Sequence, residues 1–374
     1  EIDKAVGREI RRDIESLLFS LCAIDNTPKA DAAKMAENEN FVFKIIRDEL
    51  AGIDGEIIFL PIDTSIASHK TFTPLHYTKT KENPSGLGVD ETYKNRGNLL
   101  LKIKGNASSK KSRSLAINAH IDTVAPHLPP RIENGVIYAR GACDDKASIV
   151  TMIKSAQIID KLRKVGVLRL DGQISFMFVI EEETGGNGSL SLAFNRELRK
   201  EYDSVLVLES VNNQIHPANR GAVWYKTIIE SSAAPLALLS SYAILEMESE
   251  GAAIKGESVH PMFPDRPVQT CHGMIGKFGE HPSRICGHVS FEIEAELEPD
   301  NLRQIVESAL KEYISVYGDK TKVINPDTGK PKVEKHYAVM RNEDKILIEV
   351  FGSTGHMGSI LQNDGAITKC AYFI

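Results

Sequence analysis

Ile174-Ser175-Phe176-Met177-Phe178-Val179-Ile180-Glu181-Glu182-Glu183-Thr184-Gly185-Gly186 sets the reading of this chain. The run from Ile174 to Ile180 is β-branched, aromatic and apolar with one serine, the composition of a strand buried on both faces. Three carboxylates follow it directly, then two glycines. Upstream, Ser114–Ala119 has the same apolar texture and Ala147–Lys164 has helical length; downstream, Ser189–Lys200 is helical and Ser204–Leu208 is again strand-like. Strands alternating with helices at this spacing predict βαβ units, hence an α/β fold with a largely parallel sheet and helices on both faces. Such sheets bind ligands at the carboxyl ends of their strands, where these acids lie.

Toward the N-terminus, Ile2, Val6, Ile10, Ile14, Leu17, Leu18 and Leu21 fall at helical spacing, and Phe41–Leu50 reads as a second helix. Strands follow at Glu56–Leu60 and Asn98–Ile103, separated by a loop from Pro61 to Gly97 long enough to need a reason. From Gly221 the texture changes: strand Val223–Ile229, helix Pro235–Ser249, a Gly, Pro and His-rich surface loop Gly251–Arg284, strand Gly287–Leu297, helix Asp300–Tyr317, strand Lys345–Phe351 and a helix from about Gly358 onward. This order predicts a smaller α+β domain with an antiparallel sheet, so the expected division is 1–220 and 221–374. A length of 374 residues agrees, because single cores stop growing near about 250–300 residues.

Composition narrows the function. A net charge of −6 argues against a nucleic-acid partner. No apolar run approaches the roughly 20 residues a membrane helix needs. Five cysteines, an odd number without a CxxC pair, fit reduced thiols and the cytoplasm. The glycine-rich pieces lack the strand and helix context of a nucleotide site.

Four motifs carry the chemistry. Asn118-Ala119-His120-Ile121-Asp122 closes a strand; period-two alternation puts His120 and Asp122 on one side, where an imidazole can take a metal and a carboxylate can orient its ring. A structural histidine is the plainer account. Asp144 and Asp145 precede the helix near Ala147 and would serve as ordinary caps. Glu181, Glu182 and Glu183 could be a solvated turn, but their mutual repulsion at a sheet mouth is most easily relieved by cations or raised pKa values. Glu209 ends the strand Val205–Leu208. Together they bring one histidine and more carboxylates than one ion needs to a single sheet edge, which suits two divalent ions, zinc above all.

In order and spacing, AHID, RGACDDK, EEETGG and VLES resemble the signature of the M20 metallopeptidases, among them glutamate carboxypeptidase, aminoacylase, succinyl-diaminopimelate desuccinylase and peptidase T. The resemblance covers Glu1 to Gly221. It implies a two-zinc hydrolase of dipeptides, C-terminal peptide bonds or N-acyl amino acids, with Co2+ or Mn2+ as substitutes. His120 and Glu209 would hold one ion, Glu183 the other, and Asp144 would bridge them; Asp122 would orient His120 and Glu182 would act as general base. It also implies a non-proline cis peptide at Asp144–Asp145 and a lid domain that supports a homodimer.

Two departures follow from that comparison. The family's final histidine ligand has no counterpart before Ile374, so the sequence reads as a fragment, in keeping with its start at Glu1 rather than Met. The segment Phe351-Gly352-Ser353-Thr354-Gly355-His356-Met357-Gly358 instead resembles the lid segment whose histidine holds the substrate carbonyl oxygen, which assigns His356 that oxyanion role ahead of metal ligation. His260–Arg284 would line the substrate mouth. The competing readings are a catalytically silent, metal-poor binding protein and an aminopeptidase with a different lid.

Overall fold

A computed structural model describes residues 8–106, 113–209, 214–216, 223–257, 269–294, 299–325, 328–342, 345–359 and 363–374. Ile2, Val6, Gly221, His260 and Leu297, named above, lie outside them. The chain forms two compact units, Glu1–Ile215 and His216–Ile374.

The first unit is built on strands β1 (Glu56–Pro61), β2 (Gly97–Ile103), β3 (Leu115–His120), a short hairpin β4 (Arg131–Glu133) and β5 (Val136–Tyr138), then β6 (Ile174–Val179) and β7 (Ser204–Val207). The main sheet has the order β1-β2-β6-β3-β7. β3 pairs in parallel with both β6 and β7, while β2 is antiparallel to β1 and to β6. Every strand of this sheet except β2 therefore runs in one direction.

Alternation divides the side chains between two faces. Leu99, Leu101, Ile103, Phe176, Phe178 and Ile180 pack with Leu17, Leu21, Val42, Phe43, Ile46, Ile149 and Ile153 of helices α1 (Arg8–Cys22), α2 (Ala32–Leu50) and α3 (Lys146–Lys164). Leu100, Met177 and Val179 pack with Leu192 of α4 (Asn187–Phe194) and with Leu198. With both faces covered, β2 and β6 are apolar over their middles, Leu99–Leu101 and Phe176–Val179, and each fully buried Leu, Ile or Phe contributes about 1.5–3 kcal/mol. The expected helix Ser189–Lys200 is interrupted: α4 stops at Phe194 and a separate turn spans Leu198–Lys200.

Lys146, buried at the start of α3, ties that helix to the end of α1. Its Nζ donates to Leu21 O at 2.9 Å, to Ile24 O at 2.8 Å and to Asn26 Oδ1 at 2.8 Å. Burial lowers its pKa from the ordinary 10.5 to about 8, so above pH 8 the folded state binds fewer protons than the unfolded chain and stability rises with pH. Burial raises neighbouring Cys22 from 9.0 to about 11, which gives the opposite slope above pH 9. Wild type is therefore expected to gain thermal stability relative to Lys146→Met as the pH rises from about 8 to 10.5, since Cys22 titrates in both proteins and drops out of the difference; parallel melting curves across this window would refute it.

The second unit has an antiparallel sheet ordered β8 (His288–Ile293), β10 (Lys345–Phe351), β9 (Tyr337–Asn342). Ile346, Ile348 and Val350 alternate inward and pack with Ile244 of α5 (Leu236–Glu257), Leu302 and Val306 of α6 (Pro299–Tyr317) and Ile367 and Phe373 of α7 (Ala366–Phe373), the one-sided burial of an α+β layer. Strand β9 was not expected. Two expectations need correction. Val223–Ile229 forms no strand: despite its β-branched content it pairs with no partner among the described residues, and Tyr225 is 86% exposed. Gly251–Glu257 is helix rather than loop; at Gly251 α5 approaches Thr270 so closely that a Cβ would lie 2.1 Å from its Oγ1. Likewise the terminal helix starts only at Ala366.

Inside this unit, fully buried Lys369 donates to Asp364 and, at 2.6 Å, to Phe351 O, and lies 3.0 Å from His336 Nδ1. Tyr313 donates to the other oxygen of Asp364 and accepts from Gln269 at 2.6 Å. These bonds fix both ends of the segment that carries His356. No helix among the described residues is long and apolar enough to cross a membrane.

Candidate metal centre

His120 is the last residue of β3, and its ring is 2% exposed. Its Nε2 faces Asp144 Oδ1 at 3.1 Å, Glu182 Oε2 at 3.8 Å and Glu209 Oε2 at 3.9 Å, yet this buried nitrogen has no hydrogen-bond partner. One ligand atom each from His120, Asp144 and Glu209 lies within 4.8 Å of the others. A buried imidazole nitrogen aimed at several half-exposed carboxylates without bonding to them fits a divalent cation, whose preferred donors are such nitrogens and oxygens.

Glu183 stands outside that three-residue cluster. Burial, then the charge of Asp144, pushes its carboxyl up to about 8. Glu182 is raised to about 7, again by burial first, with Asp122, Glu209 and Asp144 adding to it against His120. Burial alone would lower the pKa of His120, but the carboxylates of Asp122 and Asp144 beside it outweigh that and raise it to about 12. The sheet mouth is thus short of positive charge, and a cation there relieves the same repulsion as the imidazolium proton.

Asp122 does more than face the histidine. Its Oδ1 lies 3.4 Å from His120 Nδ1, while the shorter 3.1 Å contact of that nitrogen is with the Asp122 carbonyl. Its two carboxylate oxygens accept the backbone N–H groups of Glu182 and Glu183 at 3.1 and 3.0 Å. One side chain therefore ties the end of β3 to the turn after β6. Asp145, fully buried, accepts the His120 N–H at 3.3 Å and so joins β3 to the start of α3. The Asp144–Asp145 peptide is cis. The doubled acid in the sequence could have singled out Asp145, since capping explains only one of the pair.

The three consecutive acids do not crowd one another as expected. Glu181, 3% exposed, points away into a cradle formed by Arg96 at 2.7 Å, Tyr93 OH at 2.6 Å and Tyr77 OH. Arg96, rather than a metal, neutralises it. Three of these partners explain the long connection between β1 and β2: Tyr77, Tyr93 and Arg96 all lie in it, as does Thr73, against which Gly185 packs so tightly that a Cβ would sit 2.3 Å from its Oγ1. Gly185 also has φ +118°, a conformation that favours glycine.

His356 lies in the second unit, exposed, with Nδ1 accepting the Gly358 N–H at 3.1 Å. In that unit Gly279, Glu280 and Arg284 share a cleft of about 600 Å³ with Ser353, Thr354 and Asn363 from the His356-bearing segment.

The family description Peptidase family M20/M25/M40 matches residues 116–342, more than half of the chain. A Peptidase M20 domain-containing protein of Schizosaccharomyces pombe is 31% identical over 114 residues, 30% of this chain and 27% of that protein. A probable carboxypeptidase of Emericella nidulans is 29% identical over 164 residues, 42% of this chain and 34% of that one. The solved structure of human carnosine dipeptidase 1 aligns with a TM-score of 0.39 and 13% identity, covering 54% of this chain and 39% of the other. The chain thus spans about a quarter to a third of the two curated relatives. The matched region runs from β3, which delivers His120, through the acids of the candidate centre and into the second unit, and by that match the chain belongs to peptidase family M20/M25/M40.

Proposed function

We propose that this protein hydrolyses amide bonds of small peptides or N-acyl amino acids with the help of two divalent cations, zinc in the first instance. The observation that carries the reading is the buried His120 Nε2, without a hydrogen-bond partner and within 3.9 Å of oxygens from Asp144, Glu182 and Glu209. In this reading the first unit is the catalytic domain and the second its lid. His120 and Glu209 would hold one ion and Glu183 the other, with Asp144 shared between them. The cations would supply Lewis acidity, polarising the scissile carbonyl and making water more acidic.

Glu182 takes the proton of the attacking water and passes it to the departing amine; its Oε2 lies 3.8 Å from His120 Nε2, beside the donor cluster and within reach of a water held there. Asp122 keeps Glu182 and His120 in register through the backbone bonds described above. His356 is assigned to the substrate carbonyl oxygen: Gly358 N–H occupies Nδ1, leaving Nε2 to donate. The name of the Emericella relative, a probable carboxypeptidase, agrees with peptide-bond hydrolysis. Five free thiols suit a reducing cytoplasm, and dimerisation through the second unit belongs to the same proposal.

Metal analysis of the full-length protein, with a panel of dipeptides and N-acyl amino acids, tests it. We expect two bound divalent ions, turnover abolished by a chelator and restored by Zn2+ or Co2+. Neither metal nor turnover would favour a silent binding protein instead.

A further inference from the structure

We infer that Arg96 is a positioning residue for the turn Glu181–Glu183: by holding the Glu181 side chain inside the first unit, it fixes the direction in which Glu182 and Glu183 point. The inference deepens the reading of Glu182 as base and Glu183 as ligand and rests on it.

The Arg96 side chain is 1% exposed and meets two carboxylates. Its Nη2 and Nε hold Glu39 at 2.6 and 3.0 Å, and its Nη1 holds Glu181 at 2.7 Å. Tyr93 OH closes the other oxygen of Glu181 at 2.6 Å, and is itself braced by Asn187 Nδ2 at 3.0 Å. Glu181 has φ +62°, a left-handed conformation that a non-glycine residue adopts at a cost unless its surroundings enforce it. Here the enforcement is visible. The left-handed residue sends Glu181 inward, 4% exposed at its side chain, while the Glu182 side chain next to it is 49% exposed toward the metal centre.

Stability alone does not account for this arrangement. An ion pair taken out of water is commonly no better than apolar side chains of equal volume, and a guanidinium shared by two acids leaves one negative charge over. What the network supplies is direction. The turn is gripped at two places, at Glu181 by Arg96 and Tyr93, and at the amides of Glu182 and Glu183 by Asp122. Without the first grip, only the two Asp122 bonds hold the turn, and they open more often. A displacement of about 1 Å at reacting groups can cost 10²-fold in rate.

Glu181→Gln tests this in the full-length protein. It keeps the side-chain volume and leaves Arg96 matched one to one with Glu39. We expect amide hydrogen exchange at Glu182 and Glu183 to quicken by about tenfold or more while the rest of the sheet is unchanged. We expect kcat to fall by about 10–100-fold with KM within about twofold. After loading with Co2+, metal content should match wild type but the visible absorption band should change, reporting a moved Glu183. Tyr93→Phe, which removes one hydroxyl, should shift all three readouts the same way by a smaller factor, and it decides the matter if Glu181→Gln does not fold. Wild-type exchange, kcat and cobalt spectrum in the variants would overturn the positioning role. A wild-type protein with neither metal nor turnover would overturn the hydrolase reading instead, while amide exchange still reports whether Arg96 and Glu181 set the turn.

Discussion

Replacing Glu182 with alanine is expected to leave metal content unchanged and to reduce kcat by about 10²–10⁴-fold, the contribution of a well-placed general base. The geometry makes this separation clean. Glu182 lies outside the three-residue donor cluster of His120, Asp144 and Glu209, so its loss removes none of those ligand atoms. Asp122 grips only the Glu182 N–H, which alanine retains, so the turn keeps its shape. In the proposed role the carboxylate acts on the water rather than on bound substrate, so KM should change little beside kcat. Steady-state kinetics with metal analysis on the same preparation checks it; a variant that turns over like wild type would remove Glu182 from the role.

In the second unit, Lys369→Met should cost about 3–5 kcal/mol, because it leaves the Asp364 carboxylate, 1% exposed, without its cation. Burial lowers the pKa of Lys369, and the Asp364 carboxylate opposes that shift. His336 is arranged to match: its Nδ1 faces the ammonium at 3.0 Å and its Nε2 donates to Asp319 at 3.0 Å. Adding Asp364→Asn to Lys369→Met should recover most of the loss, since no charge is then stranded while the amide oxygen can still accept from Tyr313. Denaturant unfolding of the two variants beside wild type measures both steps. Equal midpoints for wild type and the single variant would show that the pair contributes nothing net.

Much of this was legible before the structure. Apolar runs at Ser114–Ala119 and Ile174–Ile180 announce central strands because a sheet covered on both faces cannot alternate, and the acids at their ends mark the edge where the candidate cluster lies. His120, Asp144 and Glu209 come together as the motifs imply, and Glu182 lies beside them. The interior partners were not legible. Nothing in Asn95-Arg96-Gly97 says that the guanidinium is buried, since that depends on Glu39 and Glu181, which only the fold brings near. Reading three adjacent glutamates as one charge cluster therefore missed that a single left-handed residue sends the first away from the others. Val223–Ile229 failed for the converse reason: local preference can favour an extended chain, but a strand needs a neighbour to bond with.

Asp122 is an acceptor on both oxygens, each occupied by an N–H from the acid-bearing turn, and it reaches the imidazole from the same carboxylate. The two banks of the centre are in effect riveted by one short side chain. A substitution that shortens or removes that side chain is therefore expected to disturb both banks together, not one alone.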